Sequence, residues 1–141
     1  MAGTFETLRL MVQPAHCDHL GHVNVSQYMG WSADAAFSLM SELGFDRTQA
    51  EADGACIVAA RCEIEFLREI RPGDVVAMTT GVADLSERRV LWQHRLRIVG
   101  SDIEAMRSRL QTACIDAVSR RARPLPRALT ERLARVERLS A

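Results

Sequence analysis

The stretch NVSQYMGWSADAAFSLMSELG, residues 24–44, decides how the rest of the chain must be read. Positions 25, 28, 29, 32, 35, 36, 39, 40 and 43 recur at the helical period and hold Val, Tyr, Met, Ser, Ala, Ala, Leu, Met and Leu. Only the serine is polar, so this is a helix with one broad buried stripe. Trp31, Ala33 and Phe37 add apolar surface off that stripe, which predicts cover on more than one side. Asn24 is a natural N-cap and Gly44 a natural stop, so both ends of the helix are marked.

Working outward, the other segments read mainly as strands. From Thr4 to Val12, Leu8, Leu10 and Val12 alternate with Thr7, Arg9 and Met11 until Gln13-Pro14 ends the pattern. Between this strand and the helix lies the polar loop His16-Cys17-Asp18-His19-Leu20-Gly21-His22, with three of the chain's four His. Beyond the helix, Asp46 to Gly54 is expected to be a loop. Strands are expected at Ile57–Leu67, Val75–Ala83, Val90–Val99 and Glu104–Val118, with Arg71-Pro72-Gly73-Asp74 as a turn. Pro124-Leu125-Pro126 breaks the pattern, and Leu129, Leu133, Val136 and Leu139 predict a short amphipathic helix over about 127–139. One strand, one buried helix and four long strands make an α+β fold, a mostly antiparallel sheet wrapped around one long central helix. The apolar Leu91, Val99, Ala113 and Ile115 on the other face of the sheet point to pairing with a second copy.

At 141 residues, 48% hydrophobic and 26% charged, the chain is expected to be a single folded domain over 1–141. Charge balances at 18 basic against 18 acidic residues, and every basic residue is Arg. General polyanion binding, and so a nucleic-acid partner, is not expected. Residues 1–60 carry 2 Arg and 7 acids, however, and residues 61–141 carry 16 Arg and 11 acids, so the second part could greet a phosphate locally. The Arg-dense stretch 120–138 reads more simply as a solvated helix face or an oligomer contact. Cys17, Cys56, Cys62 and Cys114 show no C-x-x-C spacing, no secretion leader precedes them, and no apolar run approaches the roughly 18 residues of a membrane span. Reduced thiols in a cytoplasmic protein with no membrane partner are the expectation.

The chemistry is expected in the loop before the helix. A carboxylate at Asp18 would face the unbonded N–H groups and positive dipole end of that helix, and the same N–H groups could polarise a substrate carbonyl bound at residues 24–26. Asp18 could then attack the carbonyl carbon or activate a water; a capping carboxylate with no other task fits the pattern as well. His16, His19 and His22, with Cys17 and Asp18 between them, suggest a metal, but Pro14 and Gly21 prevent a regular helix that would gather the imidazoles. No metal and no cofactor are expected. His94, on the apolar face of a strand, reads as a satisfied core histidine. No G-x-S-x-G, P-loop or dinucleotide fingerprint occurs.

The run Asp18-His-Leu-Gly-His-Val-Asn24, followed by Tyr28 and Asp34-Ala35-Ala36, resembles the signature and helix of the hotdog-fold acyl-CoA thioesterases of the 4-hydroxybenzoyl-CoA thioesterase type. Arg61-Cys-Glu-Ile-Glu-Phe-Leu-Arg-Glu-Ile-Arg-Pro-Gly-Asp74 is similar to that family's second strand and turn, and Asp116 with Pro124-Leu125-Pro126 to its closing segment. The resemblance implies a hotdog fold and hydrolysis of an acyl-CoA thioester, with Asp18 as nucleophile or general base and the Val25 backbone N–H polarising the carbonyl. It implies substrate contacts from His22, Asn24 and Tyr28, CoA phosphates held by Arg88, Arg89, Arg121 or Arg123, and a site at the interface of a homodimer or homotetramer. Val25 stands where the family often has a second Asn, and Asp34 where it often has Glu. Two other readings share the scaffold. A hotdog hydratase or dehydratase would want a catalytic His with a partner Asp in another arrangement, and a non-catalytic acyl-CoA-binding protein would need no base.

Overall fold

The computed structural model describes residues 4–136. Strand β1 (Phe5–Met11) leads through a 3-10 turn (Pro14–His16) and the His-rich loop into helix α1 (Val25–Glu42). Helix α2 (Arg47–Asp53) follows, then β2 (Ala55–Phe66), β3 (Val75–Leu85), β4 (Arg89–Ile98), β5 (Ile103–Asp116) and helix α3 (Arg127–Leu133). The five strands form one sheet in the order β1-β3-β4-β5-β2, every pairing antiparallel, so that β1 and β2 are its edges. The α+β arrangement of a sheet around α1 is the one expected.

Two expectations are corrected. Residues 46–54 are not a loop, because Asp46 accepts the Gln49 N–H at 2.9 Å as an N-cap and Gly54 ends the turn at φ +64°. The capped segment RTQAEAD between them lacks an apolar stripe that pattern reading could use. The tail helix α3 covers Arg127–Leu133, shorter than expected; residues 137–139 of the expectation lie outside those described.

Residues 32, 80, 94 and 108 form a polar layer through the core. Thr80, His94 and Ser108 are register partners across β3, β4 and β5, and Ser32 of α1 lies 2.7 Å from Ser108, Oγ to Oγ. On one side of this layer, Tyr28, Trp31, Met78, Leu96 and Met106 pack together with Ile70. On the other, Leu39, Met40, Trp92, Leu110, Leu129 and Leu133 form a second cluster. The Nδ1 of His94 lies 2.8 Å from the Thr80 Oγ, but its Nε2 has no partner among the described residues. The expected satisfied histidine is therefore satisfied on one side only, and burial pushes its pKa down to about 4.

Helix α1 buries Tyr28, Trp31, Ser32, Ala35, Ala36, Leu39 and Met40. Trp31, at 6% exposure, belongs to the core stripe. The expected cover on a further side is not found among the described residues. Val25, Met29 and Phe37 are 61%, 44% and 46% exposed, and their four-residue spacing runs up one flank of the helix through Ala33. On the outer face of the sheet, Leu91, Val99, Ala113 and Ile115 are half-buried.

Candidate active site

The loop from Cys17 to Val23 is closed on itself before α1 begins. Cys17 and Val23 form an isolated antiparallel bridge, the Asp18 N–H donates to the His22 carbonyl at 3.2 Å, and the Gly21 N–H donates to the Asp18 carbonyl at 3.0 Å. Gly21 takes φ +83°, a left-handed conformation costly for other residues, so its place in the loop is set by backbone geometry. The loop is moored to the fold at both ends: the Val23 N–H donates to the Ile70 carbonyl, and the Asn24 N–H to the His16 carbonyl.

This closure brings Asp18 to the start of the helix. Its Oδ1 accepts the Leu20 N–H at 2.9 Å and its Oδ2 accepts the Asn24 Nδ2 at 2.8 Å. Asn24 in turn uses its Oδ1 to accept the Ser26 N–H at 2.9 Å, so one side chain both caps α1 and aims the carboxylate. The Leu20 N–H and then the Asn24 amide hold the Asp18 carboxyl below the usual carboxylate range, with His19 and His22 adding a smaller pull. The group is ionised at neutral pH, and each oxygen keeps a lone pair for another partner.

The first helical residue completes the arrangement. The Ser26 and Gln27 N–H groups are taken by the Asn24 side chain and carbonyl. The Val25 N–H donates to no group among the described residues, and it lies at the positive end of an 18-residue helix. Beside it opens a cleft of about 300 Å³ lined by His22, Val25, Tyr28, Phe66, Leu67 and Glu69, among others. Asp18 does not itself line this cleft; it is tied to the start of α1 through its bond to Asn24, the residue before Val25. Tyr28 is packed edge-on against Trp31 and Phe66, and burial raises its phenol pKa to about 12, so the hydroxyl stays protonated at neutral pH.

Glu69 is the site residue that sequence reasoning missed. Its Oε1 lies 3.7 Å from the His22 Nε2 and its Oε2 lies 3.6 Å from Arg71. It sits in the Arg68–Asp74 segment, which local sequence marks only as a turn; the Val23–Ile70 hydrogen bond is what brings it to the helix start. The three histidines are not gathered. The His16 Nδ1 accepts the Gln13 N–H while its ring stacks edge-on against Trp31, and His22 faces Glu69. Among the described residues no group of three or more His, Cys, Asp or Glu could hold a metal ion.

The four candidate arginines lie elsewhere in the chain. Arg88 and Arg89 stand at the β3–β4 turn, and the Arg89 side chain donates to Gln111 at 3.3 Å. Arg121 is exposed, and Arg123 donates to the carbonyls of Asp53 and Gly54, tying down the end of α2. Their chain neighbours Val90 and Leu125 belong to the same cluster as Leu39 and Met40, toward the end of α1 away from Asp18, and a helix of 18 residues is about 27 Å long. Within one chain, therefore, the arginines and Asp18 are not brought together. A second and larger hollow, about 450 Å³ and almost wholly apolar, opens at that far end between α1, α2 and β2.

A sequence model of the thioesterase-like superfamily matches residues 12–133. A betainyl-CoA thioesterase of Pseudomonas aeruginosa is 27% identical over 101 residues, which is 72% of this chain and 64% of the relative, so the match spans a little under two thirds of that protein's length. A 1,4-dihydroxy-2-naphthoyl-CoA thioesterase from Synechocystis superposes with a TM-score of 0.83 at 20% identity, over 94% of this chain and 96% of that one. A Staphylococcus aureus protein solved in complex with CoA gives 0.87 at 16% identity, over 98% and 87%. These likenesses establish the hotdog fold for this chain.

Proposed function

This chain belongs to the thioesterase-like superfamily, and on that premise we propose that it hydrolyses an acyl-CoA thioester to the free acid and CoA. The observation that carries the reading is the pairing of an ionised Asp18 with the unpartnered Val25 N–H, both set by Asn24 at the start of α1. In this reading the thioester carbonyl oxygen accepts the Val25 N–H, where the helix dipole stabilises the negative charge that develops on it. Asp18 either attacks the carbonyl carbon and expels the CoA thiolate, leaving a mixed anhydride that water then hydrolyses to the free acid, or takes a proton from a water that attacks instead, with the thiolate expelled as the tetrahedral intermediate collapses to the acid. His22 and Tyr28 line the cleft that would receive the substrate.

The assembly proposed with it is a homodimer or homotetramer. The exposed row Val25, Met29, Phe37 and the free edge of β2 support it, since both leave apolar surface and backbone groups without partners in the single chain. A second copy would also supply the arginines for CoA phosphates that one chain holds too far away. A cytoplasmic setting fits four free cysteines, and no helix among the described residues is long and apolar enough to cross a membrane.

The test is thiol release from a panel of acyl-CoA thioesters, including betainyl-CoA and aromatic acyl-CoAs. Asp18→Asn, close to isosteric, is expected to lower kcat at least about a hundredfold with the fold intact. Substrate binding without thiol release by the unaltered protein would overturn the proposal, and so would consumption of enoyl-CoA with no thiol formed.

A further inference from the structure

Between β2 and β3 the backbone is held on both sides of Glu69. Before it, the Leu67 and Arg68 N–H groups both donate to the Ala105 carbonyl, at 2.9 and 3.1 Å. After it, Ile70 is fully buried in one cluster with Val23, Tyr28 and Trp31, and its carbonyl accepts the Val23 N–H at 2.9 Å. The Arg71 N–H donates to the Asp74 carboxylate at 2.9 Å, and Val12, just past β1, exchanges backbone hydrogen bonds with Gly73 and Asp74. The backbone of Glu69 is therefore fixed, although its side chain is 59% exposed.

The carboxylate carried on that fixed point has two neighbours. Its Oε2 lies 3.6 Å from Arg71, which leaves Oε1 to face the His22 Nε2 at 3.7 Å. His22 needs such a partner. Its ring lines the cleft beside Val25, and its backbone carbonyl accepts the N–H of Asp18. His16, in the same loop, is held by the Gln13 N–H and by Trp31. The His22 ring makes no hydrogen bond and no other ion pair among the described residues. A pair this exposed contributes little to stability. What it can fix is direction: an ionised carboxylate only accepts, so it selects the imidazole tautomer with hydrogen on Nε2 and leaves Nδ1 as an acceptor. At 3.7 Å the contact is longer than a hydrogen bond, as catalytic contacts commonly are before substrate closes them.

We propose that Glu69 is a positioning residue of the hydrolase site, holding the His22 ring by Nε2 so that the imidazole is preset in the wall of the cleft where the thioester enters. The proposal rests on the thioester-hydrolase reading and adds to it a residue that acts through another. Presetting the ring removes rotamers that would otherwise have to be frozen in the transition state, so Glu69 serves rate more than binding.

Glu69 lines the cleft as well, so double variants are needed to separate action through His22 from a direct contact with substrate. With the acyl-CoA that is turned over fastest, Glu69→Ala is expected to lower kcat about tenfold, with KM within about twofold and the urea unfolding midpoint unchanged. Glu69→Gln, whose amide oxygen can still accept the Nε2 hydrogen, is expected to recover kcat to within about threefold of the unaltered protein. In a His22→Ala chain, Glu69→Ala is expected to cost nothing further, because residues that act as one unit are not additive. The proposal is overturned by normal turnover of Glu69→Ala, by a Glu69→Gln as slow as Glu69→Ala, or by a loss as large in the His22→Ala chain as in the unaltered one. A loss matched by a fall in the unfolding midpoint overturns it too. Asp18→Asn measured alongside tells the two failures apart. Full activity of Asp18→Asn overturns the hydrolase reading itself, whereas normal turnover of Glu69→Ala with Asp18→Asn inactive removes only the role of Glu69.

Discussion

The two ends of α1 are built differently. Toward its C-terminal end the helix is held by packing on its core side: Leu39 and Met40 are buried with Trp92, Leu110 and Leu129, and the Arg132 guanidinium lies so close over Gly44 that a Cβ there would meet it at 2.5 Å. At its N-terminal end the helix is held by side-chain hydrogen bonds from an exposed loop, one backbone N–H is left without a partner, and Val25 is largely bare. The polar layer of Ser32, Thr80, His94 and Ser108 lies between the two. Packing secures the helix where nothing reacts, and hydrogen bonds aim it where a substrate is expected. An unsatisfied donor is tolerable at the second end because it is open to water, and would be costly at the first.

Breaking the packed end should cost the most stability and the least chemistry. Leu39→Ala removes a fully buried side chain from the larger cluster and is expected to destabilise the fold by about 3 to 4 kcal/mol, read from urea unfolding, while kcat/KM per folded molecule stays unchanged. If turnover falls in step with no loss of stability, the division between the ends is wrong.

The layer between them should show itself in acid. His94 has a folded pKa of about 4, below its ordinary 6.5, because burial disfavours the charged ring. Its contribution is therefore present above pH 6.5 and lost as pH falls from 6.5 toward 4, a difference of about 3 kcal/mol. Asp18, Asp116 and Glu104, whose carboxyls are held low, add losses of the same sign at lower pH. Comparing the pH dependence of unfolding with that of His94→Gln isolates the imidazole. A His94 NMR signal that titrates near pH 6.5 in the native protein would remove it from the account.

At the open end the balance reverses. Asp18→Asn should lower the unfolding midpoint only slightly, since the group is exposed, while turnover collapses, the mirror image of Leu39→Ala. Asn24→Ala lies between the two, with a smaller effect on stability than Leu39→Ala and a smaller effect on turnover than Asp18→Asn. Losing the cap costs about 1 kcal/mol, and losing the bond that aims Asp18 should lower kcat by more than KM rises. Restoring the cap alone with Asn24→Ser should recover the stability and not the rate, because Ser has no amide to donate to Asp18.

Much of this was legible along the chain. The α1 stripe, the alternation on β4 and the Asn24 and Gly44 boundaries are local patterns, and the placement of Asp18 beside the helix start follows from the short loop between them. Three features were not legible. Helix α2 has caps without an apolar stripe, Glu69 is 47 residues from the His22 it faces, and Arg123 meets the carbonyls of Asp53 and Gly54 some 70 residues away.

The sequence by itself determined the strands, the long helix and which carboxylate stands before it, because periodicity and capping act between residues close in the chain. Only the tertiary structure decided what faces that carboxylate, where the apolar hollow opens and which flank of α1 stays bare. Those depend on strand order and register across 40 residues and more, and hydrogen bonds such as Val23 to Ile70 are made only when the sheet has closed around the helix.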